Sequence, residues 1–142
     1  MNSAAILDTL ERASEACADP APLIYDRLFA AYPHLESLFV MDRDGGVRGS
    51  MLETCLNIIL GLLEGSETSR FLISAGRMQH EGYGVPAGEF DLMFAAMRDT
   101  FRELAGPGWT PGAETAWADL LSEIATIKKA LGSAQTVRYP FV

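Results

Sequence analysis

Residues 23–39 read LIYDRLFAAYPHLESLF: an apolar helix, a proline, and then a short aromatic turn. Tyr25, Leu28, Phe29 and Tyr32 recur at three- and four-residue steps, which places them on one helical face. Pro33 has no backbone N–H and disfavours helix at the residue before it. The helix therefore ends there, and only a brief turn follows through Phe39. Upstream, Asp19 and Pro20 form a cap and first-position pair for this helix. Before them, Ile6, Leu10, Ala13 and Cys17 share one face of a first helix. Downstream, MDRDGGVRG (41–49) is loop chemistry, with glycines and aspartates that turn the backbone.

The same period continues to the end of the chain. A long apolar helix starts near Arg48, and Met51, Leu52, Cys55, Leu56, Ile59, Leu60 and Leu63 make a stripe wide enough to be buried on more than one side. Gly65 and Ser66 end it. Thr68 or Ser69 opens the next helix, with Phe71, Leu72, Ala75 and Met78, which breaks at Gly82 and Gly84. Pro86 opens another, with Phe90, Met93, Phe94, Met97, Phe101 and Leu104 on one face. GPGWTPG (106–112) is a loop, and Thr110–Pro111 starts the last helix, which holds Trp117, Leu120, Leu121, Ile124, Ile127 and Leu131 until Gly132 stops it. No segment alternates as a half-buried strand does. The expected architecture is all-α, with six to eight helices in one domain over residues 1–132 and an aperiodic tail over 133–142.

Composition narrows the function. The chain has 142 residues, 49% hydrophobic and 21% charged, enough for one globular core. Its net charge of -8 argues against nucleic acid, whose phosphates need clustered Lys and Arg, and against anionic lipid. Cys17 and Cys55 form no CxxC, and two buried free thiols in a reducing compartment are expected. The first twenty residues carry Asp8, Glu11, Arg12 and Glu15, so they do not read as a signal peptide. The longest apolar run, Ile58–Leu63, is far below the roughly 18 residues that span a bilayer. A cytoplasmic protein with no membrane partner is expected.

Few residues can carry chemistry. There is no GxSxG, and neither cysteine has a histidine near it in sequence, so no catalytic residue is assigned. GPGWTPG and GYGVPAG lack the lysine and strand context of a phosphate loop. No His/Cys/Asp/Glu cluster has metal-ligand spacing. What remains is His80, in AGRMQHEGYGVPAGEF (75–90), at the corner where a helical pattern meets a Gly/Pro loop. One imidazole can hold a metal when a macrocycle supplies the other ligands, as with haem iron. The bland alternatives stand beside this. His80 also fits a helix end, where it would bond the last carbonyls. Tyr25 fits a core position with its hydroxyl on a backbone carbonyl, Arg48 a solvated helix start, and His34 the surface.

LIYDRLFAAYPHLESLF (23–39) resembles the segment of bacterial globins from the B helix into the C turn. QHEGYGV (79–85) resembles the end of a globin F helix with its proximal histidine, followed by aromatic-x-valine, and AWADLLSEI (116–124) resembles the start of an H helix. Together with the helices, these cover nearly the whole chain. The resemblance, which extends to single-domain haemoglobins and flavohaemoglobin globin domains, implies a globin-like fold holding haem b. It places His80 on the iron, Phe39 stacked on the haem, and Tyr25 at the distal B-helix position. Arg48 takes the distal E-helix place or pairs with a propionate, with Val47 or Gly49 one residue away. Leu52 lies over the iron, and Leu56, Val85, Phe94 and Ile124 complete the apolar lining. Phe90 and a position near Gly132 stand where flavohaemoglobins hydrogen-bond the proximal histidine with a tyrosine and a glutamate, so that electron-donating network is not implied. The implied function is reversible binding of oxygen or another diatomic gas. Nitric-oxide dioxygenation would need an outside reductase. The alternative is a globin-fold sensor or partner-binding module, with or without haem, for which the VRYPFV tail (137–142) is a candidate interface.

Overall fold

The computed structural model describes residues 2–70, 73 and 91–134. Among them there is no strand, and six α-helices account for most of the chain: α1 (Ser3–Ala16), α2 (Ala21–Ala31), α3 (Pro33–Glu36), α4 (Gly46–Leu63), α5 (Leu92–Ala105) and α6 (Pro111–Ala134). Residues 67–70 are also helical, and 3-10 turns occupy Ser37–Phe39 and Gly106–Gly108. The all-α expectation holds.

The core sits where α1 and α2 cross α5 and where α1 meets α6. Ile6, Ile24, Met97, Trp117, Leu120 and Ile124 are fully buried there. Thr9 is a polar residue inside it: its hydroxyl donates to the Ile6 carbonyl at 2.7 Å and accepts from the Trp117 indole N–H at 2.9 Å. That second bond joins the first helix to the last. Trp117 also stacks with Trp109 and lies against Phe101, with ring centroids 6.1 and 6.0 Å away.

Helix ends follow local chemistry. At α6 the Thr110 hydroxyl accepts the Ala113 N–H at 3.1 Å, as the Thr-Pro pair predicts. The short turn after Pro33 is also observed. α4 ends with Gly65 in the left-handed region at φ 76°, while Ser66 and Gly65 donate back to the carbonyls of Gly61 and Leu62. Gly61 itself must be glycine, because a Cβ there would lie 1.9 Å from the hydroxyl of buried Ser69.

Several expectations need correction. α2 begins at Ala21, one residue after Pro20, and the Asp19 carboxylate accepts the Ala21 N–H at 3.2 Å. α4 starts at Gly46, before Arg48. It is not buried on several sides: Leu52, Ile58 and Ile59 are buried, whereas Val47 and Leu60 are exposed. At 18 residues and a mean hydropathy of 1.2, α4 as a whole is long and apolar enough to cross a membrane by length and composition, which the Ile58–Leu63 run alone was not. The helix carrying Met93 to Leu104 spans Leu92–Ala105 with Asp91 as its N-cap; Pro86, expected to open a helix, lies outside the described residues. α6 runs through Gly132 to Ala134. Cys17 and Cys55 are both free, and each is only partly buried.

Candidate functional site

The candidate site is built at the corner where α2, the turn after α3 and the start of α4 meet. The four-residue step from Tyr25 to Phe29 on α2 turns both rings to the same side, and the turn after Pro33 swings Phe39 onto both. The three rings form a triangle with centroids 5.7 Å (Tyr25–Phe29), 5.6 Å (Tyr25–Phe39) and 5.5 Å (Phe29–Phe39). Tilted and edge-on aromatic contacts of this kind add to the apolar burial. Tyr25 is buried, while Phe29 and Phe39 are half-buried.

The Tyr25 hydroxyl donates to the backbone carbonyl of Arg48 at 2.8 Å. Burial, reinforced by the neighbouring Cys55 sulfur, pushes the phenol well above its ordinary range. Tyr25 is therefore a neutral O–H donor at any physiological pH. Cys55 lies two turns into α4, and burial pushes its thiol up to about 12. It stays protonated and is a poor nucleophile.

The carbonyl that receives Tyr25 is held from the other side. Asp42 is nearly buried in the loop before α4. Its carboxylate accepts the backbone N–H groups of Val47 and Arg48, each at 3.0 Å. It also accepts the Arg48 Nε–H at 3.0 Å, and Arg48 Nη2 donates to the Asp42 carbonyl at 2.9 Å. Asp44 accepts the Gly46 N–H at 3.0 Å, and Gly45 takes the left-handed turn at φ 77° that brings both aspartates under the helix start. Two loop carboxylates thus satisfy the open N–H groups of the first turn and oppose its positive dipole end. The Val47 N–H, joined by the backbone and guanidinium donors of Arg48, holds the Asp42 carboxyl below the usual carboxylate range against the opposing effect of burial. The Arg48 guanidinium is accordingly engaged by Asp42 at the loop, with its side chain about one-third exposed.

Of the other candidates, Leu52, Phe94 and Ile124 are buried in one contiguous apolar cluster, with Phe39 and Leu56 packed on its edge. Helices α2, α4, α5 and α6 each contribute to it, so residues far apart in sequence share one oily wall. His80, Val85 and Phe90 lie outside the described residues, as do Met78, Tyr139 and Phe141. His34 is exposed and meets the Tyr32 ring edge-on. Among the described residues no group of His, Cys, Asp and Glu could hold a metal ion by itself.

Haem requires a broad apolar wall, an axial nitrogen and polar groups at its margin. The wall residues fit: the cluster is apolar, and its members Phe39 and Leu56 keep uncovered surface. Tyr25 supplies a neutral donor beside that wall. His80, which the resemblance puts on the iron, lies outside the described residues.

Asp42 and Cys55 were not singled out from the sequence as site residues. Asp42 carries a readable signal, an aspartate a few residues before a helix that opens on Gly-Gly without a capping side chain of its own. Cys55 carries none beyond its place in the apolar stripe.

A family model described as Globin matches residues 23–127. Among curated proteins and among solved structures, no significant match to the chain is found.

Proposed function

Because the chain belongs to the globin family, whose members generally bind haem and diatomic gases, we propose that it holds haem b and reversibly binds oxygen or nitric oxide at the reduced haem. The observation that carries this is the juxtaposition of Tyr25, a buried neutral O–H donor, with an apolar wall contributed by α4, α5, α6 and the turn at Ser37–Phe39. When bound, haem would supply the iron that takes up a diatomic gas; the rest is done by the chain. Phe39 and Leu56, which keep uncovered surface, would meet the macrocycle with the buried Leu52, Phe94 and Ile124 behind them, and apolar burial is worth roughly 25 cal/mol per Å² removed from water. His80 would hold the metal through its imidazole. Tyr25 donates to a ligand that carries partial negative charge. A hydrogen bond to a charged group is worth about 1.5–3 kcal/mol, and the bond to Arg48 that is given up offsets about 0.5–1.5 kcal/mol of it. Oxygen is therefore retained more strongly than the less polar carbon monoxide. The apolar length of α4 fits a pocket wall better than a bilayer span, since Arg48 is tied to the loop and Leu52, Ile58 and Ile59 pack into the core. The unbridged cysteines and the acidic charge fit a cytoplasmic setting.

Adding haem to the purified protein tests this. The expected result is a strong Soret band that shifts with carbon monoxide and is lost in His80→Ala. A protein that refuses haem would leave the second function, a globin-fold sensor or partner-binding module. One observation favours that alternative: between Leu38 and Val47 the apolar Leu38, Val40, Met41 and Val47 are exposed, Met41 by 83%. Turnover of nitric oxide would consume electrons, for which a separate reductase is proposed.

A further inference from the structure

We propose that Asp42 is a positioning residue for Tyr25: by fixing the first turn of α4, it sets the Arg48 carbonyl as a competing acceptor for the one proton Tyr25 can donate. The inference rests on the gas-binding function above and assigns control of that site to a loop carboxylate outside the apolar wall.

The geometry is a relay of four residues. Asp42 holds Val47 and Arg48 at their backbone N–H groups and Arg48 again at its guanidinium, all near 3.0 Å. The Arg48 carbonyl, fixed in this way, receives the Tyr25 hydroxyl at 2.8 Å. A phenol has a single O–H donor. It can point to Arg48 or to a ligand in the pocket, and each full-strength bond excludes the other. The cap is also local. α4 has no capping side chain on Gly45 or Gly46, so without Asp42 the donors of Val47 and Arg48 lose their acceptor and the first turn frays. Fraying moves the Arg48 carbonyl and releases Tyr25 toward the pocket.

The sign of the effect separates positioning from a merely structural role. Loss of a structural prop loosens a pocket and speeds release of every ligand. Loss of a competing acceptor strengthens the hold of Tyr25 on a polar ligand and leaves an apolar one untouched. Asp42→Ala removes the carboxylate, while Asp42→Asn keeps one oxygen acceptor and the shape, which guards against a variant that fails to fold. In the haem-loaded full-length protein, oxygen release is expected to slow by about two- to tenfold in Asp42→Ala, the size of one net hydrogen bond, and by less in Asp42→Asn. Carbon monoxide release should change by less than about twofold, and its infrared stretch should shift toward the value of a stronger hydrogen-bond donor. In a Tyr25→Phe background neither Asp42 substitution should alter oxygen release. A readout independent of haem is amide hydrogen exchange at Val47 and Arg48 in the haem-free chain, which should quicken in Asp42→Asn and also in Tyr25→Phe. Oxygen release that is unchanged or faster in both Asp42 variants overturns the proposal. So does exchange at Arg48 that is indifferent to Tyr25→Phe, since the link itself is then absent. Failure to take up haem strikes at the gas-binding function, and with it the role of the relay, while the exchange result still reports separately on the Asp42–Tyr25 link.

Discussion

Two aromatic side chains tie distant parts of this protein together through one polar bond each, and their surroundings could hardly differ more. Trp117 on α6 donates to Thr9 on α1 at 2.9 Å, deep in the core, where the acceptor hydroxyl is itself satisfied by donating to Ile6. Tyr25 on α2 donates to the Arg48 carbonyl on α4 at 2.8 Å, at a corner where Phe39 is half-covered and Val47 is 55% exposed. Both ends of the first bond are fully buried. The second ends on a helix start whose position depends on a loop carboxylate. The comparison separates a fastener from an exchangeable contact. The same type of bond serves the fold in one place and, in the proposed function, supplies the ligand's donor in the other.

Truncating each aromatic residue breaks this comparison most severely. Trp117→Ala removes a side chain that is 0% exposed. It should cost about 3–5 kcal/mol in chemical denaturation; a loss near that of a surface substitution would mean that the core lies elsewhere. The polar bonds can be compared more finely. Thr9→Val keeps the shape but leaves the indole N–H buried without an acceptor, at a cost of about 1–3 kcal/mol. Tyr25→Phe removes the donor, leaves a carbonyl that is still bonded within its helix, and should cost only about 0.5–1.5 kcal/mol. Equal costs in urea unfolding would erase the distinction between the two regions.

The smallest effect is on pH. The folded protein holds the Asp42 carboxyl below its ordinary value, chiefly through the Val47 N–H. A depressed carboxyl contributes stability that is present above the unfolded value, about 3.9 for aspartate, and is lost as pH falls through the folded one. Amide exchange at Val47 and Arg48, corrected for intrinsic rates, should therefore remain slow from neutral pH down to about 4 and lose protection below it. The amides of α6 near Trp117 should keep theirs. Protection lost together in both places would mean global acid unfolding rather than release of one cap.

The core was largely legible in the sequence, because helical periodicity needs no partner to be seen. The face of Ile6 and Ala13, the Tyr25–Leu28 step, the Pro33 turn and the Thr110–Pro111 start are local signals, and each is found. What escaped is non-local or conditional. Thr9 and Trp117 are 108 residues apart, and nothing in either helix alone announces the pairing. Asp42 caps α4 only because Gly45 turns left-handed and carries the loop beneath the helix start. Gly132 was expected to stop α6, yet glycine ends a helix where it adopts a left-handed angle, as Gly65 does; otherwise it costs only about 1 kcal/mol within one. At the candidate site, the placement of Tyr25 beside the aromatic after Pro33 was readable, whereas the engagement of Arg48 by Asp42 was not, because it depends on how the loop folds.

The rate of oxygen release from the reduced, haem-loaded protein, compared between the unaltered chain and Tyr25→Phe, tests the central claim most directly. An exchangeable donor at the α2–α4 corner predicts release at least about fivefold faster in the variant, with carbon monoxide release nearly unchanged. Equal oxygen rates in the two proteins would contradict it and leave Tyr25 as a second fastener of the fold.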